Sequence, residues 1–586
     1  MSPSLSSSIV FHGSVLVLML SALLGMPASV QANTPNPFDS DQAFKGGRII
    51  HFSGTVRDNH GEPVNQAEVA IHLDKHLVDR IETGANGFFV STISVSKEQS
   101  LSAFLHVDVH KTSFHTNSLQ FKVHNLVRQG SDIYLSQDIM LERIIGPAFW
   151  IAAIVFVLAY ILIAFEVVHR TIAAMLGASL MLLISYTAGT INPAYHILSY
   201  EAAIEAIDMN VIFLLMGMMI IVGVLKHTGI FQWCAYMAYR LARGRVFLLA
   251  AYLMVFTAVT SAFLDNVTTM LLLTGVAIEI CVALSLNPLH MLMPVILASN
   301  IGGTATLIGD PPNILIGSYA GLSFVNFVLA LGPVCLVSML ALLLYAKILW
   351  GKHYRAVKVD NVQAYMHTLR AKYRVTDSTL LSYGLGILVF VVLLFLSESY
   401  WHMEVSVAAL AGAAILVTVA VITDKVDLIE LIEKDIEWPT LMFFIFLFML
   451  VAAVESTGLL SMIADWIMVL SQGNFIAALT FILWIAAIMS AFVDNIPFTA
   501  TMLPIVAYLS QVIPGAENTL WWALALGACY GGNGTIIGAS ANVVTIGIAE
   551  SRGYSTTFAG FMKTAFPFML LTILIAQVWL MLIQPV

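Results

Sequence analysis

Two short strings hold most of the chemistry in an otherwise apolar chain. The first is Asp265-Asn266-Val267-Thr268-Thr269. The second, Asp494-Asn495-Ile496-Pro497-Phe498-Thr499-Ala500-Thr501, begins 229 residues later. Each sits between two long apolar runs, where the tip of a re-entrant hairpin would lie. Two glycine-rich breaks accompany them. One runs Asn300-Ile301-Gly302-Gly303-Thr304-Ala305-Thr306 through Gly309-Asp310-Pro311-Pro312-Asn313. The other runs Gly531-Gly532-Asn533-Gly534-Thr535 through Ser540-Ala541-Asn542. Gly-Gly and Pro-Pro inside an apolar segment free backbone groups, which membrane depth tolerates only where protein or water satisfies them. Asn and Thr oxygens, freed carbonyls and a carboxylate together suit a small hard cation such as Na⁺. Helix N-termini at hairpin tips would offer N–H groups to an anion. An acid at membrane depth is costly and therefore a functional suspect. Asp265 and Asp494 could bind a cation or carry a proton, or they could cap the helices that follow them. The Gly-Gly pairs could line a site or serve close helix packing. Asp310 has no acidic counterpart in the second half, where Ala539 stands.

The elements that must position these residues are themselves repeated. At the same offset, Ser261-Ala262-Phe263-Leu264-Asp265-Asn266 matches Ser490-Ala491-Phe492-Val493-Asp494-Asn495, and Thr228-Gly229 matches Thr457-Gly458. Thr306, Gly309 and Asn313 match Thr535, Gly538 and Asn542. Two unrelated apolar stretches would not share Asp-Asn and Gly-Gly, so this is an internal duplication. Lys226, Arg240, Arg243 and Arg245 lie in the segment 226–245, whose counterpart 455–474 holds Glu455 and Asp465 and no Lys or Arg. By the positive-inside rule the first segment is cytoplasmic and the second is not, so the repeat is inverted. The basic loop 351–379 is cytoplasmic by the same rule. The expected fold is a mainly α polytopic membrane protein, an inverted repeat of about five spans plus one re-entrant hairpin in each half. That gives about ten full spans, although fourteen apolar segments can be counted. Residues 145–350 form the first repeat and 380–583 the second. Inverted repeats of this kind mark secondary transporters with a site near the bilayer midplane.

Composition agrees. Hydrophobic residues make up 59% of the 586 and charged residues 10%, against about 25% charged in soluble domains. Mean hydropathy is +0.88. Disorder is excluded by the hydrophobicity. A nucleic-acid partner is disfavoured by 26 Lys and Arg against 35 Asp and Glu. The four cysteines all fall in the membrane part, so no disulfide framework is implied.

The N-terminal part differs. Residues 1–32 read as a signal peptide, with an apolar run from Val15 to Leu24 and a small-x-small end at Val30-Gln31-Ala32. Residues 46–143 then alternate in short runs such as 68–73 and 104–109, with turns at Gly61-Glu62-Pro63 and Gly84-Ala85-Asn86-Gly87. That pattern predicts a small exported all-β sandwich preceding the membrane part. The segments around Ser53-Gly54-Thr55-Val56 and Thr83 to Phe89 resemble the carboxypeptidase-regulatory-like sandwich. Eight of the 16 histidines lie between His51 and His124. His106, Asp108 and His110 would share one strand face, as a metal site, a pH sensor or simply solvated side chains.

The membrane part resembles the P protein family (the pigment-cell melanosomal transporter and its bacterial relatives). The resemblance rests on Leu215-Met216-Gly217-Met218-Met219, Ser261 to Met270, Asn300 to Gly303 and Ile308 to Asn313, and in the second half on Asp494 to Met502, Gly531 to Thr535 and Ile537 to Asn542. The wider group contains arsenite permeases, sodium/proton antiporters of the NhaD type and citrate/dicarboxylate carriers. It implies a secondary ion transporter with Na⁺ or H⁺ as coupling ion and no cofactor, commonly a homodimer in the lipid bilayer. A bacterial inner membrane with a periplasmic N-terminal domain is expected. Coupled movement of a small anion leads, with sodium/proton antiport as the alternative. An enzyme is not expected, because no His-Glu-x-x-His or comparable set appears in the membrane segments. A membrane-anchored sensor would need a cytoplasmic output domain longer than 351–379.

Overall fold

The computed structural model describes residues 48–583 apart from 59–62, 65–66, 75, 85, 96–102, 112–113, 130–131, 143, 166, 357–372 and 517. The signal peptide read at 1–32 lies outside the described residues.

Nine strands come first: β1 (Arg48–Asp58), β2 (Glu68–Leu73), β3 (His76–Glu82), β4 (Phe88–Val95), β5 (Phe104–His110), β6 (Asn117–Lys122), β7 (Val127–Gln129), β8 (Asp132–Ser136) and β9 (Ile139–Leu141). They form two sheets, β4-β1-β8-β7 with β9 on β1, and β3-β2-β5-β6. Alternation along each strand puts Phe52, Ile71, Phe89, Leu105 and Val107 into one core between the sheets. The β3–β4 turn needs Gly87, which has φ +71°; a Cβ there would meet the Val56 carbonyl at 2.4 Å. His106, Asp108 and His110 do share the outer face of β5. There Asp108 accepts from Ser118 Oγ at 2.6 Å and lies 3.6 Å from His72 Nδ1 on β2. Among the described residues, no three His, Cys, Asp or Glu side chains are grouped as a metal site would require.

The membrane part is α1 (Pro147–Ala164), α2 (Arg170–Tyr186), α3 (Met209–His227), α4 (Ile230–Ala242), α5 (Val246–Phe263), α6 (Asn266–Ala283), α7 (Leu289–Thr304), α8 (Pro311–Ala320) and α9 (Phe324–Ala356). The same nine elements follow again: α10 (Ser378–Leu396), α11 (Val405–Ile422), α12 (Trp438–Ser456), α13 (Leu459–Ser471), α14 (Phe475–Phe492), α15 (Asn495–Val512), α16 (Thr519–Gly531), α17 (Ser540–Ser551) and α18 (Phe558–Leu582). Both ends of α12, α13, α14 and α15 fall 229 residues after those of α3, α4, α5 and α6 (438 against 209, 512 against 283). Packing repeats too. α3 lies on α11 as α12 lies on α2, α5 on α7 as α14 on α16, and α6 on α17 as α15 on α8.

The halves run in opposite directions. α3 starts where Asn210 meets Ser318 at the end of α8, and it ends where Lys226 and His227 hold Asp435 at 2.8 and 2.9 Å. α12 starts beside Arg170 and ends at Ser456, whose hydroxyl donates to the Ile197 carbonyl at 2.8 Å. One face therefore collects Lys226, Arg374, Lys425 and Lys434. The other carries the sandwich, where a cavity of about 490 Å³ is lined by Lys111, Phe114, Tyr319, Glu455, Asp465 and Trp521. Burial there lowers the pKa of the Lys111 amine.

Eleven helices among the described residues are long and apolar enough to cross a bilayer. Three of them, α5, α6 and α14, are hairpin arms, whereas α7–α8 and α16–α17 are broken helices that a length criterion misses. Eight continuous spans plus these two broken ones make the ten crossings. The outer surfaces are apolar, as at Leu329, Leu336, Leu340 and Ile348 of α9, so the chain is an integral membrane protein.

Asp377 shows how a loop fixes a helix start. Its Oδ1 accepts from Thr379 N at 3.0 Å and Leu380 N at 2.9 Å, capping α10, while Lys425 Nζ donates to Oδ2. The Lys425 hydrogen bond first, then the Leu380 N–H, hold its carboxyl below the ordinary range. A depressed carboxyl pKa stabilises at neutral pH, and that contribution is lost as pH falls through the folded-state value. Asp377→Ala should raise opening of the first turn of α10 about five-fold, the scale of a lost N-cap. Hydrogen exchange at Thr379 and Leu380 measures this, and the wild-type amides should approach the variant's rates only in acid.

Candidate functional site

Both hairpin tips behave as the residue types require. Leu264 and Val493 leave the helical conformation, and each following Asp caps the next arm. Asp265 Oδ1 accepts from Thr268 N at 2.9 Å, and Asp494 Oδ1 from Ile496 N at 3.3 Å. The tips meet the two helix breaks. In the first break, the Asn313 amide donates to the carbonyls of Thr304 at 3.0 Å and Thr306 at 2.8 Å. In the second, Asn542 donates to those of Gly532 and Thr535, both at 2.8 Å. These asparagines satisfy the carbonyls that the breaks release. The hydroxyls of Thr306 and Thr535 pin each break to its hairpin by donating to the Ala262 and Ala491 carbonyls.

The halves then cross over. Asn300 Nδ2 donates to Asn542 Oδ1 at 3.1 Å and Asn533 Oδ1 at 3.0 Å, and Asn266 Nδ2 donates to Asn300 Oδ1 at 3.2 Å. At the position equivalent to Asn300 stands Cys529, whose Sγ lies 3.6 Å from Asn313 Oδ1. Asn495 Nδ2 reaches Asp310 Oδ1 at 3.4 Å. Thr304 and Thr499 turn their hydroxyls back onto their own helices, donating to the Asn300 and Asn495 carbonyls. Thr501 donates to the Pro497 carbonyl at 3.0 Å, and Tyr160 of α1 contacts both groups. Three buried polar atoms here have no hydrogen-bond partner among the described residues: Thr269 Oγ1, Asn533 Nδ2 and Asp310 Oδ2.

The glycines do something different. A Cβ on Gly302 would lie 2.1 Å from the Ala258 carbonyl oxygen, one on Gly303 2.6 Å from that of Gly309, and one on Gly534 2.8 Å from Ala491 Cβ. Gly531 and Gly532 are similarly pressed. Their visible role is close backbone approach, the packing alternative read from the sequence.

Cavities approach the breaks from both faces, and the larger lies on the face away from the sandwich. A cavity of about 740 Å³ opens among the α1–α2 and α11–α12 loops, past His169, Lys434 and Glu437, and reaches Arg170, Asp494 and Ser540. Its counterpart on the sandwich-bearing face, about 360 Å³, is lined by Asn210, Glu398 and His402 and ends at Leu307 and Ile314.

A family model described as citrate transporter matches residues 160–527, most of the membrane part just described. The chain belongs to the citrate transporter family. Its family relatives include an uncharacterized transporter of Mycobacterium tuberculosis, 39% identical over 434 residues, covering 74% of this chain and 98% of the relative. The P protein of Mus musculus is 37% identical over 511 residues, covering 74% of this chain and 60% of that protein. The crystal structure of the Alcanivorax borkumensis YdaH transporter superposes with a TM-score of 0.50 at 14% identity, covering 70% of this chain and 98% of that one. That likeness is one of fold. As a citrate transporter family member the chain is a membrane transporter acting on a small substrate.

Within this family member, two charged residues at the site were not apparent from the sequence. Arg170 Nη1 donates to Asp494 Oδ2 at 2.7 Å and to Ser540 Oγ at 2.6 Å, and its Nη2 lies 3.4 Å from Thr440 Oγ1. Glu437, at the start of α12, faces the same cavity. Both sit at ends of spans, where a charged residue reads as an interfacial anchor. The partner of Arg170 is 324 residues away in sequence, while Glu437 accepts from Thr440 Oγ1 at 3.1 Å within its own helix start.

Proposed function

We propose that this chain is a secondary active transporter that moves a small anion together with Na⁺ or H⁺. The hairpin tips and broken helices form the central site, and the Lys/Arg-rich face lies in the cytoplasm. On that orientation the N-terminal sandwich is periplasmic in a bacterial inner membrane, and the conformation described is open to the cytoplasm. One observation carries the reading. A single pseudo-symmetric centre joins a guanidinium at the end of an open cavity to a buried carboxyl with an unpartnered oxygen. Arg170 supplies the charge an anion needs. Asp310, with the Asn and Thr groups around it, supplies the oxygens a coupling cation or proton needs. The family name makes citrate the first anion to try. Sodium/proton antiport has a specific observation of its own, since Asp265, Asp310, Asp494 and Glu437 lie within electrostatic reach of one another while Arg170 pairs with Asp494.

The test is flux in proteoliposomes with citrate, phosphate, chloride and arsenite, across Na⁺ and pH gradients. Saturable accumulation of an anion that depends on one gradient is the expected result. The double variant Asp265→Asn, Asp494→Asn should lose that coupled accumulation while eluting as a single species in detergent. Na⁺-for-H⁺ exchange with no anion moved would establish antiport instead, and unsaturable flux indifferent to both gradients would mean a channel.

A further inference from the structure

We propose that Arg170 and Ser540 form the substrate's anion subsite, and that the Asp494 carboxylate occupies this subsite until the substrate anion displaces it. The proposal rests on the transport reading above and names the residues that meet the cargo's negative charge.

The Arg170 guanidinium is built into place. Besides the bonds to Asp494 and Ser540, its Cζ lies 5.2 Å from the centre of the Phe443 ring, which backs the planar group. The side chain is 20% exposed and that of Asp494 13%, and both line the 740 Å³ cavity. The ion pair therefore stands at the end of a path wide enough for a ligand, unlike a pair sealed in a core. The cap of α17 adds to this. Ala539 makes no side-chain cap bond, and Ser540 is the first helical residue, so donors beside Arg170 face the same space.

The second hairpin tip differs from the first in this respect. Asp265 has the same cap and, among the described residues, no ion pair, because no arginine in the first half's surroundings plays the part of Arg170. The pair thus breaks the pseudo-symmetry on the side where the cavity is open. A carboxylate bound to a single arginine Nη and a serine hydroxyl is chemically what a carboxylate-bearing or other oxyanionic substrate would present. Asp494 is an internal version of that ligand.

Charge explains why displacement would couple. Arg170 and Asp494 neutralise each other in the unloaded state. An anion bound to Arg170 leaves Asp494 ionised at membrane depth, near Glu437, Asp310 and Asp265. That surplus of negative charge is costly unless a cation joins it. Anion loading thereby creates the place for the coupling cation, and neither binds well without the other.

The experiment is equilibrium binding of labelled citrate and labelled phosphate to the purified full chain in detergent, with Na⁺ or choline, beside flux in liposomes. Asn caps a helix as well as Asp does, so Asp494→Asn should fold. It should bind the favoured anion about ten-fold more tightly than wild type, because an internal competitor is gone, and without the Na⁺ dependence of wild type. Arg170→Gln should lose binding, Ser540→Ala should weaken it several-fold, and Arg170→Lys should fall between wild type and Arg170→Gln. Equal or weaker anion binding by a monodisperse Asp494→Asn protein overturns the stand-in role, as does absence of binding to both proteins. Undiminished anion binding or transport by Arg170→Gln overturns the subsite. If wild type moves no anion in liposomes while Asp494→Asn binds one through Arg170, the subsite stands and the transport reading fails.

Discussion

Asp310→Asn should abolish gradient-driven transport, by about 100-fold or more, while leaving the protein at least as stable as wild type. Asp310 is 1% exposed. One oxygen receives a long contact from Asn495 Nδ2 at 3.4 Å, the Cys529 thiol lies beside the carboxyl, and the other oxygen meets no geometric hydrogen-bond partner among the described residues. Leaving an ionised carboxyl so poorly served at membrane depth costs several kcal/mol, on the order of the penalty for any uncompensated buried charge. On the proposed transport reading, the group holds a proton or a small cation in this conformation. Asn keeps the shape and an acceptor for Asn495 but cannot take up a proton and brings no negative charge to hold a cation. The variant loses the coupling step and is relieved of the buried charge, so its melting temperature in detergent should be unchanged or higher. Lost transport with a lowered melting temperature would make Asp310 structural. Driven accumulation within two-fold of wild type would remove it from the coupling path altogether.

The singularity of Asp310 was legible in the sequence, because the duplication supplies its own control: Ala539 occupies the equivalent place. The same constant offset made the hairpin tips, the breaks and the inversion readable, and four successive helices, α3–α6 and α12–α15, keep that spacing at both ends. The number of spans was readable only by treating Asp265, Asp494 and the Gly-Gly segments as interruptions, since length and hydropathy alone count hairpin arms as crossings. Individual roles were much less legible. Asn313 and Asn542 look like ion ligands in sequence, yet their amides are spent on carbonyls that the breaks release. Arg170 pairs with a residue 324 positions away, and no local pattern distinguishes it from an arginine anchoring a helix end. Strand alternation put His106, Asp108 and His110 on one face of the sandwich. It could not say that His72, across the sheet, would be the histidine beside Asp108.

Gly302→Ala is expected to have the second large effect, through a different mechanism. A methyl group there would lie 2.1 Å from the carbonyl oxygen of Ala258 and 2.5 Å from its Cα. Both are backbone atoms of α5, so no rotamer change relieves the overlap. The arm of the first hairpin must move away from α7. That movement pulls on the Thr306 contact to the Ala262 carbonyl and on the 3.2 Å bond between Asn266 and Asn300, which ties the tip to the crossover of the halves. The cost should reach or exceed the ~1–3 kcal/mol of ordinary overpacking. Gly531→Ala repeats the experiment in the second half, where the added carbon would meet Ala487 O at 2.5 Å and Cα at 2.7 Å. Both variants should melt several degrees lower and transport little. Gly547→Ala, in α17 with nothing within 4 Å of the new carbon, should match wild type. Because the obstruction is backbone, trimming Ala258 to Gly should not rescue Gly302→Ala. Rescue by Ala258→Gly, or a Gly302→Ala protein as stable and active as Gly547→Ala, would show that the hairpin and α7 are not held at this separation.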